Sequence, residues 1–320
     1  MLESPRFLAD LVRVAGSTPA PLLLAVSGGP DSTAMLVLAA AALPGGIAAA
    51  TVDHGLRPEA AEEAATVARQ CAALGVPHAT LTGRVADAAS LQAQARALRY
   101  RLLAEQARAI GADIVATAHH ADDQAETFLM RAARGSGLSG LAGVRARVVV
   151  EGVTVVRPLL DWRRAELRAV ARRAEMRFVD DPANADDRHD RTRFRRLLGD
   201  NEWLDPPRLA RSAAALAEAD ADLRAVADWI WDARAACTDG AVVTIDIDGL
   251  PRGLLRVLAR RAVTTVRAGA NIREPDWSEA ANVEALLDAL AKGRRATQAG
   301  VVAGMRRGVW RFRPAPPRRA

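Results

Sequence analysis

Residues 27–32 read Ser-Gly-Gly-Pro-Asp-Ser, which puts two glycines, two hydroxyls and a carboxylate into one short segment. Gly28 and Gly29 permit positive φ and a close backbone approach, and the first N–H groups of a helix starting near Asp31 or Ser32 would face an anion. Pro30 has no N–H, so it subtracts one donor and stiffens the turn. Asp31 could equally cap that helix. Lys292 is the only lysine among 44 basic residues, which excludes a phosphate loop of the G-x-x-x-x-G-K-S/T type. Asp53 and His54 end a second apolar run, TVDHGLR (51–57). A carboxylate there commonly meets a ribose hydroxyl, although a polar turn would look the same. Arg96 and Arg99 are three apart beside Tyr100, so both guanidiniums can point one way. Near a triphosphate they would stabilise developing charge; elsewhere they are a solvated face. Finally, TAHHADDQAET (117–127) supplies His119, His120, Asp122, Asp123 and Glu126. Asp123 and Glu126 share a helix face. With no cysteine nearby to favour zinc, this cluster suits Mg²⁺ or a substrate amine, and capping explains part of it.

These residues need a frame that brings four distant segments together. LLLAV (22–26), IAAATVD (47–53), PHATLTG (77–83) and DIVATAH (113–119) read as buried strands, separated by Ala-rich helices over 32–43, 58–75 and 88–110. Repeated strand–helix units predict an α/β fold, a parallel sheet with helices on both faces. In such sheets ligands bind beyond the carboxyl ends of the strands, where the chemistry-bearing residues fall. A hairpin or edge pair of strands is expected over 144–160 and a helix over 162–175. The chain has 320 residues, 50% apolar, enough for two domains. The polar, Pro-containing stretch 199–208 predicts domains at 1–199 and 200–320, the second smaller and mostly helical. Cys71 and Cys237 stand alone, which excludes a disulfide scaffold and an iron–sulfur cluster held wholly by this chain. The net charge of +6 is concentrated at one end: residues 292–320 hold nine basic side chains and no acid. No apolar run reaches membrane-spanning length, so a cytoplasmic protein without a membrane partner is expected.

The 27–32 string is similar to the PP-loop of ATP pyrophosphatases, which split ATP between the α and β phosphates. In combination the motifs are more specific. SGGPDS, VDHGLR, the A-R-x-x-R-Y helix, HHADDQAET and RGSGLSGLAG, in this order, resemble the tRNA(Ile)-lysidine synthase family. RPLLDWRRAEL (157–167) and FVDDPANAD (178–186) extend the likeness, which covers roughly residues 20–198. Thr192 and Arg196 depart from it, standing where the family tends to Asn and His. The resemblance implies a Rossmann-like PP-loop catalytic domain that uses ATP and Mg²⁺. The wobble cytidine of tRNA(Ile) with a CAU anticodon would be adenylated, and free L-lysine would then attack it. Ser27, Gly28, Gly29, Pro30, Asp31, Ser32, Asp53 and His54 would hold ATP, with Asp31 also on the metal. Arg96 and Arg99 would neutralise phosphate, and His120 would accept a proton. Asp122, Asp123 and Glu126 would receive the lysine ammonium. Arg191, Arg193, Arg195, Arg306, Arg307 and Arg311 would contact tRNA phosphates. The competing expectations are a sulfur-inserting PP-loop enzyme, which the isolated cysteines disfavour, and a non-catalytic nucleotide or RNA binder.

Overall fold

The computed structural model of the chain describes residues 3–53, 55, 60–84, 91–179, 190–238, 240–278 and 280–316. It forms two compact units, 1–217 and 218–320. The division lies inside a long helix, beyond the 199–208 stretch where the domain boundary was expected.

Unit 1 contains α1 (Ser4–Ala15), β1 (Leu22–Ala25), α2 (Pro30–Ala42), β2 (Ile47–Asp53), α3 (Ala60–Ala73), β3 (His78–Thr82), α4 (Leu91–Ala109) and β4 (Ile114–Ala116). These are followed by α5 (Ala121–Ala133), α6 (Leu138–Leu141), β5 (Arg147–Val150), β6 (Val153–Val156), α7 (Arg164–Arg173), α8 (Asp190–Gly199) and the start of α9 (Pro206–Arg234). The sheet order is β3-β2-β1-β4-β6-β5, all parallel except β5, which forms the expected hairpin with β6. β1 is buried along its whole length because both of its faces are covered. Leu22 and Leu24 join a core with Phe7 and Leu11 of α1, Met35 and Leu38 of α2, Val67 of α3 and Leu167 of α7. Leu23 and Ala25 point the other way, onto Tyr100, Leu103 and Ala107 of α4. The period-two alternation thus places helices on both faces. The connections reverse direction between β1 and β4, and the crevice at such a switch point is where ligands bind.

Segment 134–143 contains α6 and is tied down. The Gln124 side chain donates to the Val144 carbonyl (2.8 Å) and accepts from its N–H (2.6 Å), and Arg131 donates to the carbonyls of Gly140 and Gly143 (2.7 and 3.0 Å). Gly143 has φ +66°, and a Cβ there would lie 2.4 Å from Gln124 Oε1, so the clamp fits only glycine.

Unit 2 holds the rest of α9, then β7 (Ala235–Thr238), β8 (Val242–Asp246), α10 (Arg252–Gly269), α11 (Glu284–Ala291), β9 (Ala296–Gln298), β10 (Val301–Arg306) and β11 (Val309–Pro314). Helices make up more of it than strands, as expected, but it is organised by a five-stranded sheet of order β7-β8-β11-β10-β9, with every pairing antiparallel. β11 alternates exposed and buried residues. Trp310 and Phe312 meet edge-to-face at 5.8 Å in a core with Leu258 of α10 and Leu287 of α11. They are packing residues and are not open to base stacking. Arg311 and Arg313 lie on the opposite, exposed side. Among the described residues, no helix is long and apolar enough to cross a membrane.

Candidate active site

The turn after β1 is shaped by its own hydroxyls. Ser32 Oγ accepts from the Ser27 N–H (3.1 Å), donates to the Gly29 carbonyl (3.0 Å) and lies 3.2 Å from Ser27 Oγ. Gly28 takes φ +85°, and a Cβ on it would come within 3.3 Å of Val67 on α3. Gly29 caps α2 and Pro30 is its first residue, so the N–H it lacks would have had no helical partner. Asp31 therefore stands in the first turn of α2. Its Oδ2 is 3.3 Å from His120 Nε2, and its Oδ1 is buried with no hydrogen-bond partner.

His120 caps the facing helix, α5. Its Nδ1 accepts from the Asp123 N–H (3.3 Å), and Asp123 Oδ2 accepts from the His120 N–H (3.1 Å), a reciprocal capping box. Accepting at Nδ1 assigns the neutral ring its proton at Nε2, aimed at Asp31. Burial lowers the His120 pKa, but Asp123 and Asp31 outweigh it and raise the pKa overall. His119 behaves oppositely: burial pushes it down to about 3, with Arg157, Arg99 and Arg191 adding to the effect against Asp123. Its ring is neutral at physiological pH and bonds Thr117 Oγ1 at 3.1 Å.

A cleft of about 170 Å³ lies between these two strand ends, walled by Ser27, Gly29, Asp31, Ser32, Arg99, His119, Asp123 and Arg191. Beside it a recess of about 60 Å³ runs over Ala25, Ala50, Val52 and Leu103, with Arg99 in its wall too. Arg99 makes no hydrogen bond or ion pair among the described residues. Burial lowers its pKa, and Arg96 and Arg157 add to that against Tyr100. A cation destabilised in this way gains most from an arriving anion. Arg96 lies over the Tyr100 ring, 5.0 Å from its centroid, outside the cleft wall.

The three acids of α5 divide. Only Asp123 lines the cleft. Asp122 accepts from the Arg163 Nε (3.2 Å) and the Arg164 N–H (2.8 Å). Glu126 is fully buried and takes Arg164 and Arg195 on Oε1 (2.8 and 2.9 Å) and Arg191 on Oε2 (2.7 Å). Burial would raise its pKa, but Arg195, Arg191 and Arg164 hold it at about 2. Arg191 also reaches Asp123 Oδ1 at 2.7 Å. Arg191 and Arg195 therefore face the acids of α5, while Arg193 lies exposed on α8. Asp53 closes a turn onto the Gly55 N–H (2.8 Å) and lies outside the cleft wall. His54 lies outside the described residues. Arg306, Arg307 and Arg311 are exposed in unit 2. The sequence motifs give no role to Arg157, Arg163 or Arg164, and His119 figures in them only as a member of the His–carboxylate cluster. Their signal was membership of the RPLLDWRRAEL and TAHH strings, with no spacing that pairs them with α5.

As to a metal, the buried and unpartnered Asp31 Oδ1 suits one ligand to a hard cation. Among the described residues no group of three or more His, Cys, Asp or Glu could hold an ion, so phosphate oxygens and water would complete the shell.

Comparison with known proteins agrees with this geometry. Residues 5–202 match the family described as PP-loop domain. The chain is 40% identical to a tRNA(Ile)-lysidine synthase of Zymomonas mobilis, covering all of this chain and 96% of that one. It is 44% identical to that of Novosphingobium aromaticivorans, covering 93% and 90%, and 44% identical to that of Methylobacterium nodulans, covering 100% and 98%. Among solved structures it resembles the U34-tRNA thiolase NcsA from Methanococcus maripaludis with a TM-score of 0.57 and 17% identity, over 68% of this chain and 78% of that one. At that identity the likeness concerns the fold alone.

Proposed function

This chain belongs to the tRNA(Ile)-lysidine synthase family and is an ATP-using ligase, and we propose that it forms lysidine in two half-reactions within the cleft of unit 1. The observation that carries this reading is one cleft walled by the 27–32 turn, the carboxylate of Asp123 and Arg99, which has no ion-pair partner among the described residues. It offers an anion seat and a cation seat side by side.

In the first half-reaction the pyrophosphate of ATP lies against the turn and the first N–H groups of α2. Adenine would lie toward the apolar recess over Ala50 and Val52, with Asp53, at the end of the same strand, toward the ribose. Asp31 would hold Mg²⁺ against the phosphates, where the ion neutralises charge, and His120 fixes the orientation of Asp31. The C2 carbonyl oxygen of the wobble cytidine in a CAU anticodon attacks the α-phosphorus and pyrophosphate leaves. Arg99 is placed to stabilise the charge that develops. In the second half-reaction Asp123 draws the ε-ammonium of free L-lysine into the cleft. Once deprotonated, the amine attacks C2 and AMP departs. Asp122 and Glu126, committed to arginines, serve as supports for α5, α7 and α8. The exposed arginines of unit 2 contact tRNA phosphates.

ATP–pyrophosphate exchange with tRNA present tests the first half-reaction. Asp31→Ala should lose it by about 10²-fold or more. Full exchange in that variant would refute the assignment.

A further inference from the structure

We infer that Arg191 occupies the lysine seat until ATP arrives, so that it couples the two small substrates and imposes an order on their binding. The proposal rests on the reading of Asp123 as the lysine carboxylate. Asp123 is the only α5 acid in the cleft wall, and in this structure it is already neutralised. Arg191 places one terminal nitrogen on Asp123 Oδ1 at 2.7 Å and its Nε on Glu126 Oε2 at 2.7 Å. Asp123 Oδ2 is held by the His120 N–H. An incoming ammonium thus meets a guanidinium in the position it needs, and like charges repel strongly in a partly desolvated cleft.

The two sides of this contact differ in freedom. The Glu126 side chain is 1% exposed and that of Asp123 is 15% exposed, so the acids are fixed in the fold. The Arg191 side chain is 46% exposed and comes from the first turn of α8. It also lines the cleft that the phosphates would fill. A guanidinium binds phosphate oxygens in the same bidentate manner as carboxylates, and a triphosphate carries more charge than one Asp. When Arg191 turns to phosphate, Glu126 still keeps Arg164 and Arg195, whereas Asp123 loses the one guanidinium that is hydrogen-bonded to it among the described residues. The acid left without a hydrogen-bonded guanidinium is the one that faces the cleft. ATP thereby creates the ammonium seat, and the amine is admitted only after the activating substrate is in place.

Equilibrium dialysis of radiolabelled L-lysine against the full chain tests this, with and without α,β-methylene-ATP and Mg²⁺. Wild type should bind lysine about tenfold or more tightly with the nucleotide, and lysine should tighten the nucleotide by the same factor. Arg191→Met should bind lysine tightly without nucleotide, and the coupling should fall to near one. Arg191→Gln should behave alike and guards against a folding defect in the first variant, which circular dichroism would report. Equal lysine affinity in both wild-type conditions would overturn the proposal. So would coupling that survives in both Arg191 variants. Asp123→Asn should lose lysine binding in either condition. If it bound lysine like wild type, the lysine-site reading itself would fall, and that outcome is distinguishable from a failure of coupling alone.

Discussion

At the residue scale the site depends on charges that the fold leaves incomplete. Arg99 carries a positive charge without a counter-ion among the described residues, in surroundings that depress its pKa. Such a residue favours function over stability. Arg99→Met should therefore lower the rate of adenylation by about 10²–10³-fold. Its thermal midpoint should hold steady or rise. A clear drop in the midpoint with an unchanged rate would show that Arg99 is structural. Asp31 is the complementary case, with one oxygen turned to His120 and the other buried without a partner. Both groups were legible in the sequence, because the Ser-Gly-Gly-Pro-Asp-Ser string and the Arg96–Arg99 spacing are local. The division between those two arginines was not legible. Arg99 faces the cleft while Arg96 covers the Tyr100 ring, a choice set by where α4 meets β1 and β2.

At the element scale α5 is the hub. Its N-terminus is capped by His120, its middle clamps residue 144 through Gln124, and Glu126 ties it to α7 and α8. Glu126 has a folded pKa of about 2 against an ordinary 4.5. The group binds its proton more readily in the unfolded chain, so its contribution to stability is complete above about pH 4.5 and is lost as pH falls toward 2. Denaturation measured from pH 7 to 3 should show stability falling on the acid side, and Glu126→Gln should be less stable at pH 7 with a flatter acid limb. An acid limb identical in slope to wild type would contradict the network. The strands were readable because buried apolar runs bounded by Gly and Pro have few alternatives. The arginine network was not, since Arg163 lies 41 residues from Asp122 and Arg195 lies 69 from Glu126. A sequence rich in arginine gives no local sign of which ones will turn inward. The family resemblance thus implies three ammonium ligands, whereas the fold leaves one of them, Asp123, facing the cleft.

At the scale of the whole molecule the proposed function divides the charge between chemistry in unit 1 and substrate capture by unit 2. The basic C-terminal stretch becomes β9, β10 and β11, with Trp310 and Phe312 turned into the core and Arg311 and Arg313 outward. Phosphate contacts from this surface should make tRNA affinity depend steeply on salt. Replacing Arg306, Arg307 and Arg311 together by Ala should weaken tRNA binding and reduce the log–log salt slope by about 2–3. The KM for ATP should stay near its wild-type value; a fall in ATP affinity matching that in tRNA would contradict the separation of roles. Whether this chain joins lysine to an adenylated cytidine in the cleft of unit 1 is decided by supplying labelled L-lysine, ATP, Mg²⁺ and a tRNA(Ile) transcript with a CAU anticodon. One label per tRNA at the wobble nucleotide is expected, with one AMP and one diphosphate released for each. ATP consumed to ADP, or AMP released while no label enters the tRNA, would contradict it.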